Sequence, residues 1–281
     1  MAVIVPGERV QVSPLVARIT APNPGMMTGP GTNAYIIGGE RLALIDPGPE
    51  SPAHLAAMLA AVGDRLRWIL CTHTHLDHSP GARALKAATG AAVFGMPAPP
   101  HGNQDATFAP DRVLAHGDAV DCGAFTLRAV HTPGHASNHL CYLLEQEKTL
   151  FTGDHMMQGS TVVINPPDGD MLAYLASLAA LLALDLARAA PGHGHPIDTP
   201  HEEARRLIAH RLGREQKVVA AFAAKNPATL DELLPIVYAD THARLHPVAR
   251  RSLHAHLLKL EREGRVEQRG ENWTLRSGTA D

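Results

Sequence analysis

Through the first 165 residues the apolar positions come in short runs broken by turn formers, a pattern of strands rather than of long helices. Asn33–Gly39 and Arg41–Asp46 predict the two strands of a hairpin that turns at Gly38-Gly39. Ser51–Val62 predicts a helix, with Ser51 as its N-cap, Pro52 in the first turn and Gly63 at its end. Trp68–Cys71 predicts a short buried strand. Ser79-Pro80 opens a further helix that runs to about Ala88 and stops at Gly90. Strands are expected around Ala92–Gly95, Phe125–Val130, Leu140–Leu144 and Thr149–Thr152. From the cap Asp170, apolar residues crowd every side of a helix expected to reach about Arg188, so most of its surface is buried. Strands with helices inserted between them predict layered sheets flanked by helices.

The pattern changes after residue 200. Helices are expected at about Thr199–Ala224, Ala228–Tyr238 and Val248–Glu263, the last with Leu253, Leu257 and Leu260 on one face. Gly264 ends it, and Arg265–Arg276 predicts two short strands about a turn at Gly270. Three helices and a hairpin make a small winged-helix pattern, with a plain three-helix cap as the alternative. The expected domains are therefore 1–200, which carries the chemistry, and 201–281, a winged-helix-like appendage.

Charge follows the same division. Residues 1–200 carry 11 Lys+Arg against 17 Asp+Glu, a net of −6, and residues 201–281 carry 14 against 11, a net of +3, which sum to the −3 of the chain. The basic appendage suits either an anionic partner such as RNA or a solvated Arg-rich surface. The longest apolar run, Met171–Leu184 with Ser177 inside it, is too short to cross a bilayer, so no membrane partner is expected. The N-terminal apolar residues have no basic segment before them and stop at Pro6-Gly7, unlike a secretory signal. Three scattered cysteines, Cys71, Cys122 and Cys141, make neither a disulfide framework nor a Cys-based zinc site, and a cytoplasmic location is the expectation.

The 18 histidines outnumber the 11 aromatic residues, which matters only if they cluster. They do so at Thr72-His73-Thr74-His75-Leu76-Asp77-His78. Chance produces this His-x-His-x-Asp-His arrangement in roughly four chains per thousand of such composition, and here it lies between an expected strand and an expected helix. Imidazole nitrogens and carboxylates in one anchored loop suit zinc, and there are enough of them for two ions. Four further segments contribute: His131-Thr-Pro-Gly-His135 on a Pro-Gly elbow, Phe151-Thr-Gly-Asp154 at a strand end, Pro191-Gly-His193-Gly-His195, and Leu44-Ile-Asp46, an acid suited to orienting other groups.

These segments, in this order from about Asn33 to His195, resemble the metallo-β-lactamase superfamily, whose fold is an αββα sandwich and whose members include glyoxalase II, zinc-dependent ribonucleases and lactonases. The resemblance implies that His73, His75 and His135 bind one metal, that Asp77, His78 and His193 bind the other, and that Asp154 bridges them. His193 is preferred to His195 because the family's last ligand directly follows Pro-Gly. Asp168–Leu178, Arg211–Gln216 and Leu253–Gly264 resemble the branch with a C-terminal winged-helix domain, which includes a mitochondrial endoribonuclease acting on single-stranded RNA.

The expected cofactor is two Zn2+, with iron or manganese as the alternatives. A hydroxide shared by the two ions would attack a phosphodiester or an ester, thioester or lactone, and Asp77 could accept its proton. The expected substrate is thus a small ester or thioester, or single-stranded RNA; a homodimer is also compatible. Pro22–Thr32 and His155–Thr161 are the expected substrate loops. His155 would either donate to substrate or support the ligands, and His139 and Tyr174 are weighed as substrate contacts with a structural role preferred. The competing readings are a glyoxalase II-like thioester hydrolase, an iron-dependent sulfur dioxygenase on the same fold, and a non-catalytic DNA-binding regulator. A flavin-coupled diiron oxidoreductase fits less well, because that group has Glu where His75 stands.

Overall fold

The computed structural model describes residues 3–276. A first sheet holds seven strands in chain order: β1 (Arg9–Gln11), β2 (Val16–Thr20), β3 (Asn33–Gly38), β4 (Leu42–Ile45), β5 (Leu66–Leu70), β6 (Ala92–Gly95) and β7 (Arg112–Val113). The first four pair antiparallel. From β4 onward the pairing is parallel, with α1 (Pro52–Val62) and α2 (Gly81–Thr89) as the crossovers. Ser51 caps α1 as expected, its hydroxyl accepting from the His54 amide, and Gly90 ends α2 in the left-handed region that a Cβ would disfavour.

A second sheet contains β8 (Ala119–Asp121), β9 (Thr126–His131), β10 (Leu140–Leu144), β11 (Thr149–Gly153) and β12 (Arg188–Pro191), in the order β12-β11-β10-β9-β8. Alternate residues of the two sheets interdigitate: Tyr35, Ile37, Ile45 and Leu70 face Leu127, Ala129, Tyr142 and Phe151 in one buried layer. The outer face of the first sheet packs on α1 and α2, and that of the second on α3 (Met171–Leu181) and α4 (Pro200–Ala221). The result is the expected αββα sandwich.

The expected helix from Asp170 to Arg188 is too long. Asp170 does cap α3, accepting from the Leu172 and Ala173 amides at 2.9 and 3.1 Å, but the helix ends at Leu181, and Arg188 opens β12, which pairs in parallel with β11. A continuous apolar run cannot by itself separate a buried helix from a buried strand, and no Gly or Pro punctuates this one before Pro191. The expected strands are all present, whereas β1, β2, β7, β8 and β12 escaped the pattern, as did the two-residue strand Ala228–Thr229, which stands where the helix Ala228–Tyr238 was expected to begin. The first of these is fully exposed, and β2 carries the buried polar residues Arg18 and Thr20 among its apolar ones.

The C-terminal part is a winged helix formed by the end of α4, α5 (Leu230–Val237), α6 (His246–Arg262) and a three-stranded sheet of β13 (Ala228–Thr229), β15 (Asn272–Leu275) and β14 (Val266–Arg269). Leu253, Leu257 and Leu260 lie in its core with Val218, Leu233 and Trp273. Helix α4 serves both parts: Ala204 and Leu207 pack with α3, while Val218 and Ala221 pack in the winged-helix core. Ala255 of α6 also reaches the α3 layer, so the winged helix sits directly against the sandwich.

Candidate metal centre

The candidate residues all lie just beyond strand ends. Asp46 follows β4, His73–His78 follow β5, His135 follows β9, Asp154 follows β11 and His193 follows β12. In open α/β sheets the groups beyond the carboxyl ends of strands are the ones free to meet a ligand. Here those loops converge.

His75 Nδ1 lies 2.9 Å from His73 Nε2 and 3.0 Å from His135 Nε2. Asp154 reaches both sides of the site: its Oδ2 is 3.6 Å from His135 Nε2, and its Oδ1 is 3.4 Å from His78 Nε2 and 3.2 Å from His193 Nε2. Asp77 Oδ2 completes the second group, 3.3 Å from His193 Nε2 and 3.5 Å from His78 Nε2. Three sets of donor atoms, His73/His75/His135, His73/His78/Asp154 and Asp77/His78/His193, each fall within 4.8 Å of one another. The seven residues expected from the sequence are thus brought together, and His193 rather than His195 joins them.

The outer nitrogens explain why the inner ones are available. His78 Nδ1 donates to Asp46 Oδ2 at 2.9 Å, His135 Nδ1 to the Val163 carbonyl at 2.7 Å and His193 Nδ1 to the Gly31 carbonyl at 3.1 Å. The Thr72 hydroxyl donates to Asp46 Oδ2 and so accepts from His73 Nδ1 at 3.0 Å. In each case the proton on Nδ1 is held by an outer acceptor, and Nε2 is the atom turned inward. Asp46 itself is fixed by the Thr72 amide at 2.7 Å and adopts a left-handed φ of 53°, tolerable for Asp. Its partners are Thr72, the neighbour of His73, and His78, one of the inner donors. Gly192 lets the last loop close on the site: a Cβ there would lie 2.7 Å from His78 Cε1 and 2.9 Å from Asp154 Oδ1. Gly134 does the same for the elbow, since its Cβ would meet the Tyr174 backbone at 2.4 Å.

The electrostatics split the cluster. Burial pushes His73 well below the usual imidazole range, with His78, His75 and His139 adding to it; burial and His135 bring His75 down to about 3. Burial also disfavours charge on His78 and His193. The acids nonetheless prevail, Asp77, Asp154 and Asp46 raising His78 well above its ordinary value and Asp154 and Asp77 raising His193 to about 10. Burial would raise Asp77, but His78 and His193 hold it at about 2. One half therefore presents neutral nitrogens and the other half carboxylates that call for positive charge. Buried Nε2 of His78 and Oδ1 of Asp154 have no hydrogen-bond partner among the described residues. Bare nitrogens facing one another at about 3 Å are close to the ligand spacing of roughly 3.3 Å that tetrahedral zinc–nitrogen bonds impose. These residues fit a pair of divalent cations.

His139 and Tyr174 are structural, as preferred. His139 Nδ1 lies 2.9 Å from Thr132 Oγ1, its Nε2 accepts the Asp154 amide at 3.2 Å, and the Tyr174 hydroxyl donates to the His155 carbonyl at 3.1 Å. His155 is fully buried between them and is not among the residues that line the cleft. Cys71 is the buried strand-end residue expected. Missed by sequence reasoning were Thr72, which links Asp46 to His73, and Gln104, whose amide donates to Asp168 and whose carbonyl accepts from Thr74 at the cleft wall. Thr72 has no signal beyond its position beside the motif, and Gln104, far from it in sequence, has none. The expected substrate loops do line the cleft, with Met26–Pro30 on one side and Met157–Thr161 on another.

An αββα sandwich whose strand-end loops assemble seven His and Asp donors defines a metal-dependent hydrolase. Residues 27–193 match the family described as the metallo-beta-lactamase superfamily, and residues 229–273 match the beta-lactamase associated winged helix domain. The chain belongs to the metallo-β-lactamase superfamily, in the branch with a C-terminal winged helix. It is 34% identical over 270 residues to a beta-lactamase-like protein 2 homolog of Drosophila melanogaster, with 89% of each chain covered. It is 35% identical over 216 residues to a thioesterase, pkgB, of Emericella nidulans, covering 75% of this chain and 60% of that one. A beta-lactamase domain protein from Burkholderia ambifaria superposes with a TM-score of 0.81 at 21% identity, covering 98% of this chain and 95% of that one, a likeness of fold.

Proposed function

We propose that the protein is a dinuclear zinc hydrolase acting on thioesters, with residues 1–200 carrying the chemistry and residues 201–281 shaping the cleft. The observation that carries it is the placement of Asp154, whose two carboxylate oxygens face different donor groups, as suits a residue shared by two cations. His73, His75 and His135 would hold one ion, Asp77, His78 and His193 the other. Bound there, the ions supply an acidified water and polarise the attacked carbonyl.

The chain's own residues do the rest. Asp46, Thr72, Val163 and Gly31 fix the donor tautomers. Asp77, the more exposed of the two acids at 29%, would take the proton of the attacking water. Hydrolysis forms a C–O bond and breaks the C–S bond, and the proton leaves with the sulfur as thiol. The carboxylic acid product ionises to solvent.

Two observations favour a thioester over RNA. One of the two relatives, 35% identical over 216 residues, is a thioesterase. The cations of the winged helix are also largely neutralised within it, Arg214 and Lys217 by Asp240, Arg250 by Asp231, Lys225 by Glu232 and Arg269 by Glu267, and so are poorly free to track a phosphate backbone. The zinc-loaded protein, assayed side by side on a medium-chain thioester, a lactone, bis(p-nitrophenyl) phosphate and single-stranded RNA, is expected to turn over the thioester fastest. Preference for the phosphodiesters would overturn the substrate reading. Recovery of a single iron per chain, with oxygen consumed on a persulfide, would replace it with a sulfur dioxygenase.

A further inference from the structure

A cleft of about 840 Å³ runs from the metal donors to the winged helix, a size that suits an extended small molecule. Its two ends differ in character. At the donor end, the large apolar side chains Met26, Met27 and Leu76 stand exposed, Met26 at 71%. At the other end the wall includes Arg211 of α4 and Arg251 of α6.

Arg211 is the anomaly. It is only 3% exposed, yet no carboxylate lies within ion-pair distance of its guanidinium among the described residues. One of its terminal nitrogens donates to the Val162 carbonyl, its face lies 5.5 Å from the Tyr174 ring, and its Nε has no partner. The acid one turn along α4, Glu215, is already engaged by Lys259 at 2.7 Å and Arg265 at 3.0 Å. Burying an unpaired cation costs several kcal/mol unless an anion meets it. Arg251 is exposed and likewise has no acid beside it, while Arg214 is taken up by Asp240 and the Val237 carbonyl. The cationic end is also tied to the donors: Val162 accepts from Arg211 and the adjacent carbonyl, Val163, accepts from His135.

We propose that Arg211 and Arg251 form an oxyanion-binding subsite at the winged-helix end of the cleft. It would receive a phosphate or carboxylate carried on the thiol side of a thioester whose acyl chain lies against Met26, Met27 and Leu76. The inference rests on the thioesterase reading and adds the class of thiol it takes. The fixed fork of a guanidinium suits either oxyanion, and its position beyond the reacting centre makes the anion a handle for binding rather than a participant in the chemistry.

Three thioesters of one octanoyl group test this: that of N-acetylcysteamine, which is neutral, that of 3-mercaptopropionate, which carries a carboxylate, and that of 4′-phosphopantetheine. At least one anionic substrate is expected to show a KM about tenfold or more below the neutral one, with kcat similar. Which of the two gains identifies the oxyanion. The neutral-to-anionic KM ratio should fall towards unity in Arg211→Met and drop severalfold in Arg251→Gln. Inorganic phosphate titrated by calorimetry into the full-length protein, with metals removed by chelation, should bind, and Arg211→Met should abolish that binding. Equal KM values for all three substrates, or no phosphate binding, would overturn the subsite. Should Arg211→Met fail to fold, Arg251→Gln decides, because an unchanged ratio in that variant also overturns it. Phosphate binding that depends on Arg211, without hydrolysis of any thioester, would instead remove the thioesterase reading and leave the anion site standing.

Discussion

Asp46 and His78, 32 residues apart in sequence, are joined by a 2.9 Å hydrogen bond from His78 Nδ1 to Asp46 Oδ2, with both side chains buried. The same carboxylate accepts the Thr72 amide and hydroxyl, so one acid sets the orientation of His78 and, through Thr72, of His73. Asp46 also sits at a left-handed φ of 53°, which Asn tolerates as well as Asp. Asp46→Asn should therefore fold normally while losing the charge that holds the His78 tautomer. Metal affinity or turnover should fall about 10- to 100-fold, read by metal content after dialysis against a weak chelator. Unaltered metal retention and turnover would show that Asp46 is only a loop brace.

Asp154→Ala and His73→Ala should both abolish hydrolysis with little change in circular dichroism. The two should differ in metal stoichiometry. Asp154 faces both donor groups, so its loss should lower occupancy of both ions, whereas His73 lies nearest the His75/His135 set and its loss should fall mainly on one. Elemental analysis of the purified variants checks this, and full turnover by the Asp154 variant would refute its bridging role. Chelation of the wild-type protein should likewise silence it, with zinc restoring activity.

Gly192→Ala is a test of close approach. The added methyl would sit 2.7 Å from His78 Cε1 and 2.9 Å from Asp154 Oδ1, inside contact distance of two residues that have nowhere to retreat. Overpacking of this kind typically costs about 1–3 kcal/mol. The melting temperature should fall together with metal content. Gly194→Ala, where no atom lies within 4 Å of the added Cβ but φ is +77°, should cost backbone strain alone and spare the metal stoichiometry. Equal metal loss in both variants would point to the loop backbone instead of the contact.

The motif His73–His78 was legible in the sequence because it sets ligand-type residues at a strand end, whereas Asp154 and His193 are weak signals alone and took their expected roles from the family resemblance. Arg211 carried no chemical signal, its stretch Arg211–Gln216 entering only through the resemblance to the winged-helix branch. On α4 it reads as one more cation of an amphipathic helix, and only the depth of its burial, with no acid beside it, sets it apart. Strands followed the same logic. Those with clean apolar runs, such as Leu140–Leu144, were visible, whereas β12 merged into the apolar stretch that opens α3, since hydrophobicity alone does not tell a buried strand from a buried helix turn.

Glu215 ties the winged helix to α4. It lies 2.7 Å from Lys259 and 3.0 Å from Arg265, with His256 beside it. Burial would raise its pKa, but His256 and Lys259 outweigh that and lower it from 4.5 to about 2. A carboxylate whose folded pKa lies below its unfolded value binds protons more readily when unfolded, so its stabilisation is fully present above about pH 4.5 and drains away as pH falls towards 2. Glu215→Gln should remove about 1–2 kcal/mol at neutral pH, a figure reduced for solvent screening of the exposed Arg265. It should also flatten the acid limb of the stability curve between pH 4.5 and 2. Denaturant melts of both proteins across that range check the sign. A difference that grows on acidification would mean that Glu215 is held mainly in its protonated form.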